Sequence, residues 1–299
     1  MVENILVVGA GRMGGGISRR LMKAGFRPYI FDIDYSKAKE VAGKKGRALK
    51  NFSDFKTEGR RVVWLMLPSG KVTEDYVNKS IEILSKGDVL IDGGNSKWSD
   101  SIKRADMVSK KGIYFVDAGV SGGLYGERDG YCVMVGGDKK GFSLIEKYLK
   151  AIAQKDAYLY CGDSGSGHFV KMIHNGIEYA IMQAYAEGFE LIKSFDGLKT
   201  PTYKIAGLFN RGSIIRSWLL ELVYDILKKD DNLSNIKAYI DDSGEGRWSI
   251  EYALLKAIPA ETITDAAFRR FRSRMSEPFS EKLIAALRNK FGGHKVVKK

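Results

Sequence analysis

The amino-acid sequence predicts an α/β domain with a parallel sheet, followed by an all-α domain. Three observations lead to that fold class. Short apolar strands alternate with helical patterns through the first half. A glycine-rich loop joins the first strand to the first helix. After about Asp163 only helical periodicity remains. At 299 residues the chain is long enough for two domains, each with its own core. The expected division is 1–163 and 164–299.

The elements follow in order. Ile5–Val8 is a short apolar strand, Gly9–Gly16 a glycine loop and Ile17–Ala24 the helix after it. Tyr29–Phe31 is a second strand ending at Asp32. Val62–Leu67 stops at Pro68, and Val89–Ile91 runs into Asp92-Gly93-Gly94-Asn95. Tyr114–Asp117 and Tyr131–Val135 complete the predicted strands. Thr73–Leu84 and Gly141–Ile152 are helical patterns between them. In the second half, apolar positions over Val170–Phe195 recur at helical spacing and predict one long helix. Ile214–Leu227, Ile250–Ala257, Ala260–Arg272 and Glu281–Asn289 follow as further helices.

Gly9-Ala10-Gly11-Arg12-Met13-Gly14 matches the G-x-G-x-x-G pattern in the setting that gives it meaning, after a strand and before a helix. The first glycine permits the tight turn and the second lets backbone approach a pyrophosphate. The third lets helix pack on strand, and the helix N-terminus offers N–H donors to phosphate. The first half is thus expected to be a Rossmann-type dinucleotide-binding domain. Asp32, at the end of the second strand, stands where a carboxylate accepts from ribose hydroxyls and repels a 2′-phosphate. Ile33 and Asp34 follow it, with no arginine, so the expected cofactor is NAD rather than NADP. Lys37 is the nearest cation.

Lys171, His174, Asn175 and Glu178 stand at i, i+3, i+4 and i+7, along one face of the long helix. A polar stripe is often only a solvated face. Here Phe169, Val170, Met172, Ile173 and Ile177 surround it, so much of this helix should be buried and its polar groups partnered. Burial beside a cation disfavours the charged form of an amine, and such a lysine can take a hydroxyl proton as hydride leaves the same carbon. A carboxyl two turns on suits a second proton-coupled step, such as decarboxylation. His168 and His294 lack i+4 spacing to His174, so no zinc site is expected.

Several stretches resemble the decarboxylating 6-phosphogluconate dehydrogenases, within the wider β-hydroxyacid dehydrogenase superfamily. They are Gly9–Gly14, Asp92–Ser96, Asp117–Gly123, Gly167–Tyr179 and Phe291–His294, from one end of the chain to the other. The resemblance implies that Lys171 is the base and Glu178 the acid. It implies that Asn95, Ser121, Gly122, Gly123, His174 and Asn175 hold the sugar acid. Met13 packs on the nicotinamide, and Leu67, Pro68 and Ser69 form a third cofactor segment, with Asn95 beside it. Tyr179 and Arg270 match phosphate ligands. Arg288 and His294 match a pair that reaches a neighbouring subunit's site. The implied reaction is oxidative decarboxylation of 6-phospho-D-gluconate without a metal. This chain is similar to the shorter form of the family, and its helical half should leave apolar surface that pairs in a homodimer or larger homo-oligomer. One departure concerns phosphate. The family's usual lysine falls on Ser243, which leaves Arg247 as a substitute.

Composition narrows the rivals. The chain carries 49 Lys+Arg against 36 Asp+Glu, a net of +13. Phe268–Lys299 holds ten of those cations and two glutamates, a net of +8. Such a tail suits an anionic small substrate or nucleic acid, and Arg270 and Arg288 within it offer a bidentate grip on phosphate that makes a nucleic-acid partner unnecessary. No run approaches the ~18 apolar residues of a membrane span. The absence of a basic leader, with only Cys132 and Cys161, implies a reduced cytoplasmic protein. The alternatives are an NAD-dependent dehydrogenase of another 3-hydroxy acid, resembling the 3-hydroxyisobutyrate enzymes, and a non-catalytic NAD-binding module.

Overall fold

The computed structural model describes residues 4–297. They form two compact units that divide between His174 and Asn175, inside a continuous helix.

The first unit is a sheet of eight strands. In chain order its elements are β1 (Asn4–Val8), α1 (Arg12–Lys23), β2 (Tyr29–Phe31), α2 (Tyr35–Ala42), β3 (Arg47–Ala48) and β4 (Arg61–Leu65). There follow α3 (Lys71–Ile83), β5 (Val89–Asp92), α4 (Trp98–Ser109), β6 (Tyr114–Ser121), the short α5 (Gly126–Asp129), β7 (Tyr131–Gly137), α6 (Lys139–Ile152) and β8 (Ala153–Gly162). The strand order is β3-β2-β1-β4-β5-β6-β7-β8. The order reverses between β1 and β4, which places a crevice beyond their carboxyl ends.

β1 shows why the strands read as unbroken apolar runs. Ile5 and Val7 face one core with Trp64, Ile91, Ile17, Leu21 and Leu149. Leu6 and Val8 face a second with Val63, Leu65, Leu90, Val77 and Val108. Both faces are covered, as a parallel sheet with crossover helices requires.

The structure corrects four expectations. α1 begins at Arg12 rather than Ile17, so the last of the loop glycines are already helical. β6 and β7 run antiparallel rather than parallel. The segment 122–130 is too short to carry a chain back across the sheet for a parallel pairing. β8 is a strand where none is predicted. It lies at the sheet edge, half exposed and poor in apolar residues, so it lacks the signal of its buried neighbours. α8 (Thr202–Gly212) is likewise unpredicted, because Gly207 interrupts its helical pattern. That glycine is required by packing, since a Cβ there would meet the Tyr224 ring at 3.1 Å.

The bridging helix is α7 (Ser166–Lys193). Beyond it the second unit is all helical: α8, α9 (Trp218–Lys229), α10 (Glu245–Lys256), α11 (Glu261–Ser273) and α12 (Phe279–Gly292). Phe189, Ala206, Leu220 and Leu227 form its small core, flanked by Tyr185, Tyr203, Phe209 and Tyr224. α12 buries none of its residues, and Phe279, Leu283, Ile284, Leu287 and Phe291 are exposed along it. No helix among the described residues is long and apolar enough to cross a membrane.

Candidate active site

The glycine loop turns at the carboxyl end of β1. Gly9 has φ +99°, and a Cβ there would strike the Met66 carbonyl, so the turn admits only glycine. A Cβ at Gly14 would fall on the Gly9 carbonyl oxygen, which holds helix against strand. Gly11, by contrast, has open space around it. It is the N-cap of α1, with no side chain capping the helix and no acidic residue in the first turn. An uncapped helix start behind an unobstructed backbone fits a dinucleotide pyrophosphate. Arg12 lies exposed at this mouth, while Met13 is half-buried against the sheet core.

Asp32 closes the loop from the side. Its Oδ2 accepts from Ala10 N at 2.7 Å, and its Oδ1 accepts from Asp34 N at 2.9 Å. Each oxygen keeps a further lone pair, so the carboxylate can still accept from ribose hydroxyls. Ile33 is fully out in solvent. Asp34 caps α2 by accepting from Ser36 N, and hydrogen bonds from Ser36 hold its carboxyl below the ordinary value. The Lys37 ammonium lies 3.9 Å from Asp34. Leu67 is half-buried next to Gly9 and Gly94, and Pro68 and Ser69 continue outward from it, exposed.

β5 delivers Asn95. Asp92 is wholly buried, and its Oδ2 accepts from Arg104 Nη1 at 2.8 Å. Burial disfavours the Arg104 cation, but Asp92 and Glu74 outweigh it and raise its pKa above the ordinary value. Gly93 and Gly94 follow. A Cβ on either would collide, with the Trp64 indole nitrogen or with the Leu67 carbonyl respectively. Asn95 then lies half-buried beyond them.

β6 delivers Ser121 and the turn Gly122-Gly123, whose φ values of +130° and +50° explain the paired glycines. It also positions Lys171. Asp117, wholly buried, accepts from Gly165 N at 2.7 Å and from His168 N at 2.9 Å, and so fastens the first turn of α7 to the strand. Two residues along β6, a Cβ on Gly119 would overlap the Lys171 Cβ. Strand and helix therefore touch directly, and Lys171 is 8% exposed. Ser121 pairs with Cys132 and Gly119 with Met134 across the antiparallel ladder. Cys132 thus shares the sheet face on which Lys171 lies. Burial pushes its thiol pKa up, and the Lys171 charge opposes that rise.

The second unit carries the other half of the stripe. Asn175 Nδ2 donates to Glu245 Oε1 at 2.7 Å, and Ser243 Oγ donates to Oε2 at 2.7 Å. Glu245 is a buried carboxylate under Asn175. Gly176 lies against Ser249 and Ile263, which seats this turn of α7 on α10 and α11. Tyr179 is buried, with the Arg270 guanidinium 3.5 Å above its ring, and Arg270 Nη1 donates to the Asp241 carbonyl at 3.2 Å. His174 and Glu178 are half-buried. Arg247 is engaged by Asp242 through two hydrogen bonds of 2.8 and 2.9 Å, and Arg274 donates to the same carboxylate at 2.5 Å. Arg288 and His294 are exposed on and after α12, where Asn289 Nδ2 donates to the His294 carbonyl at 2.9 Å.

Both units match models of one enzyme family. Residues 4–162 match the NAD binding domain of 6-phosphogluconate dehydrogenase, and residues 167–282 match its C-terminal domain. The chain belongs to the 6-phosphogluconate dehydrogenase family. It is 39% identical over 298 residues to the YqeC protein of Bacillus subtilis (strain 168), covering 98% of this chain and 99% of that one. It is 34% identical to the NAD(+)-dependent, decarboxylating 6-phosphogluconate dehydrogenase of Haloferax volcanii, with 98% of each chain covered. The Plasmodium falciparum 6-phosphogluconate dehydrogenase, solved apo, with NADP+ and with 6-phosphogluconate, superposes with a TM-score of 0.84 at 26% identity. That alignment covers 99% of this chain and 66% of the Plasmodium chain, so this member is the shorter.

Sequence reasoning assigned no role to Asp117, Arg104, Gly119 or Glu245. Asp92 and Asp117 carried a usable signal. Each ends an apolar strand run, and a carboxylate expected to be buried must have donors supplied to it.

Proposed function

We propose that this chain catalyses the oxidative decarboxylation of 6-phospho-D-gluconate to D-ribulose 5-phosphate and CO2, with NAD as hydride acceptor. The observation that carries the reading is the buried Lys171, pressed on Gly119 and followed two turns later on the same helix by Glu178. The first domain, 1–163, holds the dinucleotide on Gly9–Gly14, Asp32, Ile33, Asp34, Leu67, Pro68, Ser69 and Asn95. The second, 164–299, holds substrate and pairs with another copy.

A bound nicotinamide dinucleotide takes the hydride, with its two electrons, from C3. Lys171, as the free amine, accepts the 3-hydroxyl proton at the same time, leaving a 3-keto acid and an ammonium. The C1–C2 bond then breaks and CO2 departs. Its electron pair moves into a C2–C3 double bond, and Lys171 returns its proton to the C3 oxygen to give an enediol. Glu178 protonates the carbon that lost CO2, while Lys171 takes the enediol proton back and the ketone forms. Asn95, Ser121, Gly122, Gly123, His174 and Asn175 orient the sugar acid through this sequence. Tyr179 and Arg270 receive the phosphate. Arg247 is a poor substitute for the missing lysine at Ser243, because Asp242 already occupies its fork.

The choice of NAD rests on Asp32 and on the absence of a free cation beside it, Lys37 being placed against Asp34. Exposed apolar residues along α12 support a homodimer or larger homo-oligomer, in which Arg288 and His294 complete the neighbour's phosphate site. The two cysteines, both free, fit a reducing cytoplasm. The deciding experiment follows reduced dinucleotide and released CO2 from purified protein given 6-phosphogluconate with NAD or NADP. Equimolar CO2 with a higher kcat/KM for NAD is expected. No turnover overturns the reaction, and an NADP preference overturns the cofactor.

A further inference from the structure

We infer that Arg104 is a positioning residue that acts through Asp92 and Ser96 to set where Asn95 stands in the site. The inference rests on the reading of Asn95 as a group that touches the sugar acid or the dinucleotide.

The loop between β5 and α4 cannot anchor itself. Gly93 and Gly94 have no side chains, and none would fit, since a Cβ on either collides with its surroundings. The anchors are therefore the residues that flank the pair. Arg104 Nη1 donates to Asp92 Oδ2 at 2.8 Å on one side and to Ser96 Oγ at 3.0 Å on the other. One nitrogen thus pins both ends of the segment that carries Asn95. Arg104 Nε donates to Glu74 Oε2 at 3.0 Å, which ties the same planar group to α3. Asp92 Oδ1 accepts from Gly94 N at 3.3 Å inside the loop.

The ion pair is almost entirely out of water, at 3% and 0% side-chain exposure. Apolar residues of similar volume commonly stabilise such a position as well or better. A fork that places a loop is a different task, and a rigid planar guanidinium performs it where an ammonium cannot. The same face of α4 presents Ser101, whose Oγ lies 2.7 Å from His168 Nδ1, one turn before Lys171. α4 therefore registers the Asn95 loop and the helix of the base from a single buried polar edge.

The test uses the full-length protein with Arg104→Lys, and with Ser96→Ala as a milder variant that leaves the Arg104–Asp92 pair in place. Hydrogen–deuterium exchange over 92–97 is expected to quicken about tenfold or more in both, with α1 and β1 unchanged. In the kinetic arm, Ser96→Ala is expected to lower kcat/KM about tenfold alone and less than about twofold in an Asn95→Ala background. Unchanged exchange over 92–97, or additive losses in the double variant, overturns the positioning role even if phosphogluconate is turned over. Failure of the wild-type protein to turn over phosphogluconate overturns the proposed reaction instead, and the exchange result alone then decides Arg104.

Discussion

Replacing Gly119 by alanine adds one methyl group at the contact between β6 and α7. That Cβ would overlap the Lys171 Cβ and lie 2.9 Å from its Cγ and 3.0 Å from the Gly167 carbonyl oxygen. The strand cannot retreat easily, because β6 is paired with β7 from Val116 to Ser121. The first turn of α7 cannot either, because Asp117 holds it through two backbone amides. The lysine must give way by about 1 Å to restore an ordinary carbon–carbon separation. Overpacking of this kind costs about 1–3 kcal/mol of stability, roughly 2–10 °C in Tm for a chain of this size. A misplacement of about 1 Å in a reacting group costs on the order of 100-fold in rate. Gly119→Ala is therefore expected to fold, melt a few degrees lower and lose about two orders of magnitude in kcat. Gly188→Ala, farther along the same helix with nothing near its added methyl, is the control. It is expected to keep kcat and to hold or gain about 1 kcal/mol of stability. Initial rates at saturating substrate and a thermal melt measure both. A Gly119→Ala enzyme within twofold of wild-type kcat refutes the claim that this contact sets the base.

Lys171→Met is expected to lower kcat by about 1,000-fold or more while reduced dinucleotide still binds, as fluorescence titration would show. Glu178→Gln is expected to lower kcat with little change in KM, because its proton transfer follows substrate binding; a KM effect alone would assign it to binding. Arg270→Ala removes a charged donor and is expected to raise KM for phosphogluconate about 10-fold or more, while leaving gluconate unchanged. Asp242 is held below the ordinary carboxyl range first by hydrogen bonds from Arg247, against the opposing effect of burial, and then by Arg274. Its contribution, about 1–3 kcal/mol for charged hydrogen bonds, is fully present above about pH 4. It is lost as pH falls through the depressed value. Urea unfolding at pH 7 and pH 3 should show a smaller difference in Asp242→Asn than in wild type.

Much of the fold was legible because the sheet is buried on both faces. β1, β2, β4 and β5 read as short apolar runs, and each stops at a residue that ends a strand for a reason: Gly9, Asp32, the approach to Pro68 and Asp92. The failures share a cause in the other direction. β8 is an edge strand with little to bury, and α8 contains a glycine that its packing against Tyr224 demands. In both, a tertiary neighbour decides the local structure, and periodicity carries no record of that neighbour.

The site divides along the same line. The lysine stripe was visible because helical spacing converts sequence distance into a face, and the glycine loop because a backbone ligand site leaves glycines at fixed intervals. What holds these groups in place was not visible, because it runs between elements far apart in the chain. Asp117 on β6 fastens α7, Arg104 on α4 pins the loop after β5, and Glu245 on α10 receives Asn175 from α7. Each is a carboxylate or guanidinium at or near complete burial. An uncompensated charge there would be prohibitive, so every one had to have donors or acceptors brought to it by the fold. The residues that touch substrate are exposed enough to be recognised by type and spacing. The residues that aim them are buried ions, and those are identified by asking which partner makes their burial tolerable.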